Sequence, residues 1–174
     1  MVLVLKMLQQ CSSDFAGKAF IDLGSGVGNV CMMVAALSNA SNCFGIELMR
    51  NPAEYADKML SRFARQMQAN GWVHAPIRLK QGNFLHCSEV KSQLRNAGVV
   101  FINNPKFDAC LNRQILTQLC CLLPKGAMVI CFESLIGTKN YWDDCMKYKT
   151  AFICDKDCVS WHGHEETLHV LEKL

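Results

Sequence analysis

Short apolar runs alternate with stretches of helical periodicity along most of this chain. Ala19-Phe20-Ile21, Cys43-Phe44-Gly45-Ile46, Ile77 to Lys80, Val99-Val100-Phe101-Ile102 and Met128 to Phe132 have strand length and are bounded by glycine, proline, asparagine or charged residues. Between the first two, Val30 to Leu37 is apolar with a helical period. Pro52 to Asn70 reads as a long helix: Pro52 lies in its first turn, Ala56, Met59, Leu60, Phe63 and Met67 repeat at helical spacing, and Asn70-Gly71 stops it. Ile115 to Leu123 is a further helix, and Pro124-Lys125-Gly126 turns the chain into the fifth strand. Thr150 to Asp155 and Thr167 to Glu172 read as a closing hairpin of two strands. Strands that alternate with helices demand a parallel sheet covered on both faces, so the expected architecture is α/β, doubly wound, mostly parallel and seven-stranded. Repeats and low-complexity linkers are absent, which makes residues 1–174 a single expected domain. Ligands in such sheets bind at the carboxyl ends of the strands.

Composition changes this picture little. A chain of 174 residues with 51% hydrophobic content suffices for one core. No apolar run reaches the length of a membrane span, and Met1 to Cys11 lacks the pattern of a signal peptide, so a soluble intracellular protein is expected. The eleven cysteines are odd in number and sit inside apolar runs, as Cys31, Cys120, Cys121 and Cys131 do, which suits free thiols in a reducing compartment. A net charge of +3 with scattered Lys and Arg forms no strong independent nucleic-acid patch. Cys154, Cys158, His162 and His164 match no standard zinc spacing, and no metal is expected.

The candidate chemistry starts at Asp22-Leu23-Gly24-Ser25-Gly26-Val27-Gly28-Asn29, which reads as strand, glycine loop, helix. A dinucleotide loop places its third glycine one position later, where a helix N-terminus receives a pyrophosphate. Three glycines at alternate positions behind an acid suit S-adenosylmethionine better. That cofactor has no phosphate, and its ammonium answers the Asp22 carboxylate. Glu47 ends the second apolar run about 20 positions on, where one carboxylate can hold both hydroxyls of a ribose. At the third strand tip, Asn83-Phe84 offers an amide for the polar edge of adenine and an aromatic face. At the fourth, Asn103-Asn104-Pro105 leaves polar groups where a methyl group would be presented.

These segments occur in a recognisable order with three others: Pro52-Ala53-Glu54-Tyr55-Ala56 and Met59 behind Glu47, the string Val100 to Phe107, and Val159-Ser160-Trp161. From Ala19 to Glu172 the chain resembles the catalytic domain of the disruptor-of-telomeric-silencing family, the histone H3 lysine methyltransferases that lack a SET domain. The resemblance implies a Rossmann-like class I methyltransferase acting in the nucleus on histone H3 within the nucleosome, with S-adenosyl-L-methionine as cofactor. It implies cofactor contacts from Asp22, Gly24, Ser25, Gly26, Gly28 and Asn29 on the methionine side, Glu47 on the ribose, and Asn83 with Phe84 on the adenine. Asn103 would bind the cofactor beside the transferred methyl and act as the catalytic residue. Phe101, Asn104, Pro105, Phe107 and Trp161 would form the channel for the target lysine. The chain departs from the family pattern at Asn29, Asn83, Pro105-Lys106 and Glu166-Thr167, where the family commonly has glutamine, aspartate, aromatic-Ala and a tyrosine. The family's upstream helical region, with its lid over the cofactor, has no counterpart in these residues. Two other readings follow from the residues. Asn104-Pro105-Lys106-Phe107 approximates the Asn-Pro-Pro-aromatic loop of methyltransferases acting on adenine or a glutamine amide, and a catalytically silent cofactor-binding paralogue would keep the same loop and acid.

Overall fold

The computed structural model describes residues 2–136, 145–154 and 165–174. Helix α1 (Val2–Phe15) precedes β1 (Ala19–Leu23), α2 (Asn29–Leu37), β2 (Asn42–Glu47), α3 (Arg50–Ala69) and β3 (Ile77–Gln81). Then come α4 (Ser88–Leu94), β4 (Ala97–Ile102), α5 (Ala109–Gln114), β5 (Met128–Cys131), β6 (Met146–Cys154) and β7 (Glu166–Lys173). The strands form one seven-stranded sheet in the order β3-β2-β1-β4-β5-β7-β6. The first five run parallel, and β7 is antiparallel to both of its neighbours. The chain thus winds outward from β1 in both directions, and the crevice at the β1/β4 switch point is where a ligand belongs.

The central parallel strands are buried on both faces, which is why their runs read as continuously apolar and not alternating. In β1, Ala19, Ile21 and Leu23 enter a core with Val90 and Leu94 of α4 and with Ile115, Leu116 and Leu119 beyond α5. Phe20 enters the opposite core with Met7 of α1, Val34 of α2 and Phe101 of β4. Asp22 shares the parity of Phe20 and therefore faces α2. No helix among the described residues is long and apolar enough to cross a membrane.

Several boundaries differ from the expectation. Helix α1 was not anticipated, although Leu3, Met7, Cys11 and Phe15 recur every four residues and all are buried. Helix α4 buries only Val90 and Leu94 in seven residues, too few to establish a period. The helical segment expected from Ile115 begins at Ala109, where Asp108 caps it by accepting from the backbone N–H of Leu111 at 2.7 Å. It then continues as a π-turn (Ile115–Leu119) and a 3-10 turn (Cys120–Leu122). The fifth strand ends at Cys131 rather than Phe132, and the hairpin begins earlier, at Met146.

Candidate active site at the strand tips

The loop after β1 is fastened to the end of β2. Gly24 N and Ser25 N both donate to Ile46 O, at 2.9 and 3.0 Å, and Gly28 N donates to Ser25 O at 2.8 Å. Gly28 caps α2 with φ +79°, and a Cβ there would run into the Leu79 side chain of β3. Only glycine allows both that turn and that approach. Beneath the loop, a Cβ on Gly45 would lie 2.8 Å from Ser25 Cβ, so this glycine is what lets the loop sit down on β2.

Glu47 ends β2 with its carboxylate already oriented. Oε2 accepts from Gly26 N at 2.9 Å and Oε1 accepts from Met49 N at 2.8 Å. A carboxylate has about four acceptor positions, so both oxygens can still accept from a pair of hydroxyls. Asp22 is only 1% exposed. Its Oδ2 lies 4.0 Å from the Cys31 thiol, and its Oδ1 has no partner. Burial, and secondarily the charge of Glu47, pushes its pKa up to about 7.

A cleft of about 310 Å³ opens above these groups, bordered by Gly24, Glu47, Asn83, Phe84, Asn103 and Phe107. The rings of Phe84 and Phe107 stand 6.2 Å apart at 35°, giving the cleft an aromatic wall. Phe84 is held by a turn in which Asn83 Oδ1 accepts from Leu85 N at 2.9 Å. Asn103 is half-buried at the tip of β4. Glu47, Ser25 and Gly26 also border a smaller pocket of about 80 Å³ beside the start of α3.

The structure thus brings Gly24, Glu47, Asn83, Phe84 and Asn103 to one cleft, with Ser25 and Gly26 adjoining it across Glu47 and Asp22 beneath the loop. Other sequence-based placements need correction. Asn29 is exposed at the start of α2 and borders a groove between α2 and α3 rather than the cleft. Phe101 is 2% exposed and packs edge-to-face on Phe132, 6.0 Å between ring centres, so it is a packing residue of the core and not a channel wall. Asn104 is fully buried and its amide is fully engaged. Nδ2 donates to Asn112 Oδ1 at 3.0 Å and to Glu133 O at 2.8 Å, while Oδ1 accepts from Phe132 N at 3.0 Å and Glu133 N at 2.9 Å. It ties the β4 tip to the end of β5 and to α5, and no donor or acceptor remains for a substrate. Phe107 borders the cleft itself, with Cζ 3.7 Å from where a Cβ on Gly24 would stand. Pro105 is exposed in the loop after β4. Trp161, Cys158, His162 and His164 lie outside the described residues. Three cleft residues were not anticipated: Leu48, Met49 and Leu111. Leu48 and Met49 follow Glu47 directly and are both exposed at the edge of the cleft.

The donor set fits S-adenosylmethionine. An unpartnered buried carboxylate oxygen suits its ammonium, Glu47 its ribose hydroxyls, the Phe84 and Phe107 wall its adenine, and the bare backbone of Gly24 its close approach.

A doubly wound sheet with β7 antiparallel, carrying this cleft at its tips, defines the class I methyltransferase fold. Solved structures agree: TrmN from Thermus thermophilus superposes with a TM-score of 0.70 at 19% identity, covering 99% of this chain and 48% of that one. An RNA methyltransferase from Salinibacter ruber in complex with S-adenosyl-L-homocysteine superposes with a TM-score of 0.63 at 18% identity, covering 97% and 88%. Within that fold the sequence is specific: the family described as histone methylation protein DOT1 matches residues 1–170, and the chain belongs to it. The histone-lysine N-methyltransferase, H3 lysine-79 specific, of Gibberella zeae is 30% identical over 161 residues, 92% of this chain and 32% of that protein. Its namesake in Caenorhabditis elegans is 34% identical over 149 residues, 82% of this chain and 16% of that protein. The chain therefore spans a third or less of the length of these relatives.

Proposed function

We propose that this chain transfers a methyl group from S-adenosylmethionine to the side-chain amine of a lysine in histone H3 within the nucleosome, and that it works in the nucleus. The observation that carries the reading is the convergence of Glu47, Asn83, Phe84, Asn103 and Phe107 on one cleft over the buried Asp22. Family membership, and relatives named as specific for H3 lysine 79, support the choice of substrate.

S-adenosylmethionine supplies a methyl group on a sulfonium sulfur. Asp22 holds the ammonium of its amino-acid tail, Glu47 both ribose hydroxyls, and Phe84 with Phe107 the adenine plane. The remaining task falls to the amine. A free lysine has a pKa of about 10.4 and is protonated at neutral pH, so the site must favour the uncharged form. Leu48, Met49 and Leu111 give the cleft an apolar mouth, and desolvation there disfavours the ammonium. Asn103 orients the amine through its amide oxygen, and alignment supplies most of the acceleration. No strong general base is needed.

Transfer to a planar amine through Asn104-Pro105-Lys106-Phe107 would require the Asn104 amide to bind the target. That amide is satisfied four times over by the chain itself, which argues for lysine. Radiolabelled methyl transfer to nucleosomes, histone octamers, DNA and RNA tests the proposal, with the full-length protein as catalyst. Label on a lysine of H3 supports it. Label on nucleic acid or on glutamine contradicts it, as does tight cofactor binding without turnover on any of the four, which would identify a silent module.

A further inference from the structure

Helix α3 packs on β2 and β3 by a narrow stripe of its surface. Of its 20 residues only Ala56 and Met67 are buried, and between it and α2 runs a groove with two lobes of about 470 and 740 Å³ that share Met33, Phe63 and Gln66. None of the residues bordering it borders the cofactor cleft. Its floor and walls are Met32, Met33, Met59, Phe63 and Met67, and its far end carries Leu37, Trp72 and Val73, which are 50%, 63% and 89% exposed. An exposed apolar surface of this extent marks an interaction site. Methionine-rich linings adapt to helical ligands of varied sequence.

The occupant can be read from shape and charge. Met59, Phe63, Gln66 and Met67 of α3 follow one another at i, i+4, i+7 and i+8, so the groove runs along roughly two helical turns, about 12 Å at 1.5 Å per residue. That length and straightness match the apolar stripe of an amphipathic helix. Arg62 borders the groove, no acidic side chain borders either lobe, and Arg62 has no carboxylate partner among the described residues. A carboxylate flanking the stripe would complete it.

We propose that the groove between α2 and α3 docks an amphipathic helix of a partner protein, with apolar side chains filling both lobes and an acidic residue paired with Arg62. Neither cofactor nor histone is involved, so this interaction stands or falls apart from the methyl-transfer reading. The test uses the full-length protein with [methyl-13C]methionine and two synthetic amphipathic helices of about 15 residues. Both carry leucines at i, i+4, i+7 and i+8; one has glutamate and the other lysine beside the stripe. The glutamate peptide should bind and move the Met33 and Met59 methyl resonances. Leu37→Glu and Val73→Glu, with unchanged thermal midpoints confirming the fold, should each weaken it about tenfold or more. Arg62→Glu should transfer the preference to the lysine peptide. The proposal is overturned if neither peptide moves those resonances, or if both bind equally whatever stands at position 62. It is also overturned if the resonances shift with protein concentration alone while sedimentation shows a dimer, since a second copy would then be the occupant.

Discussion

Asp22 sits beneath the glycine loop as a buried acid with one oxygen unpartnered, and burial lifts its pKa to about 7. A carboxylate raised from its usual 3.8 to about 7 binds more protons in the folded than in the unfolded state across that interval. Its contribution to stability is therefore full below about 4 and falls as pH rises to about 7, the reverse of an ion-paired acid. Urea unfolding midpoints of the unliganded protein should show this decline, and Asp22→Asn should flatten it. A decline that survives the substitution would assign it elsewhere. The same group links cofactor to proton: an ammonium on Asp22 favours the ionised form, so ligand binding below about pH 7 should release a proton, detectable calorimetrically in buffers of different ionisation enthalpy. For Asn103 the expectation is kinetic. Asn103→Ala should lower methyl transfer by about a hundredfold or more through lost alignment, a larger effect than its loss of cofactor affinity. Normal turnover in that variant would remove Asn103 from the chemistry.

At the level of elements, two contacts hold the loops that form the cleft. Gly45 gives the glycine loop its seat on β2, and Gly45→Ala should cost about 1–3 kcal/mol by overpacking against Ser25 and Leu79, with weaker cofactor binding as the second symptom. Asn104 joins three segments, and Asn104→Ala removes the acceptor of the buried Phe132 N–H and of the Glu133 N–H, at about 1–3 kcal/mol. Denaturant titration reads both. These positions also show where sequence reading reaches its limit. The glycine loop, Glu47 and the strand ends were legible because turn chemistry and apolar runs are local. Which face a residue takes was not. β4 is buried on both sides, so nothing in Val99-Val100-Phe101-Ile102 says that Phe101 turns inward toward Phe132, and two adjacent asparagines do not announce which will face the cleft and which the framework. Nor does anything local say that Asn29 borders the groove toward α3, since the phase of α2 is set by the turn at Gly28, whose packing on Leu79 exists only in three dimensions.

On the scale of the whole molecule, the doubly wound, mostly parallel sheet with its closing hairpin was legible from the alternation of strands and helices, while the order of the strands in the sheet came from the structure. What escaped was tertiary. Helix α1 closes one face of the sheet through Leu3, Val4 and Met7, and its apolar positions acquire meaning only against Phe20, Phe101 and Ile130. The aromatic wall joins Phe84 after β3 to Phe107 after β4, residues whose loops meet above β2 and β1, the two strands that separate their own. The account as a whole rests on that crevice being the cofactor site. Isothermal titration of S-adenosylhomocysteine into the wild-type protein and into Glu47→Ala and Phe84→Ala variants tests it most directly. The account predicts one saturable site, with affinity falling about tenfold or more in each variant at a temperature where circular dichroism shows the variant still folded. Saturable binding that is unchanged by both substitutions, or no binding by the folded wild-type protein, would contradict it.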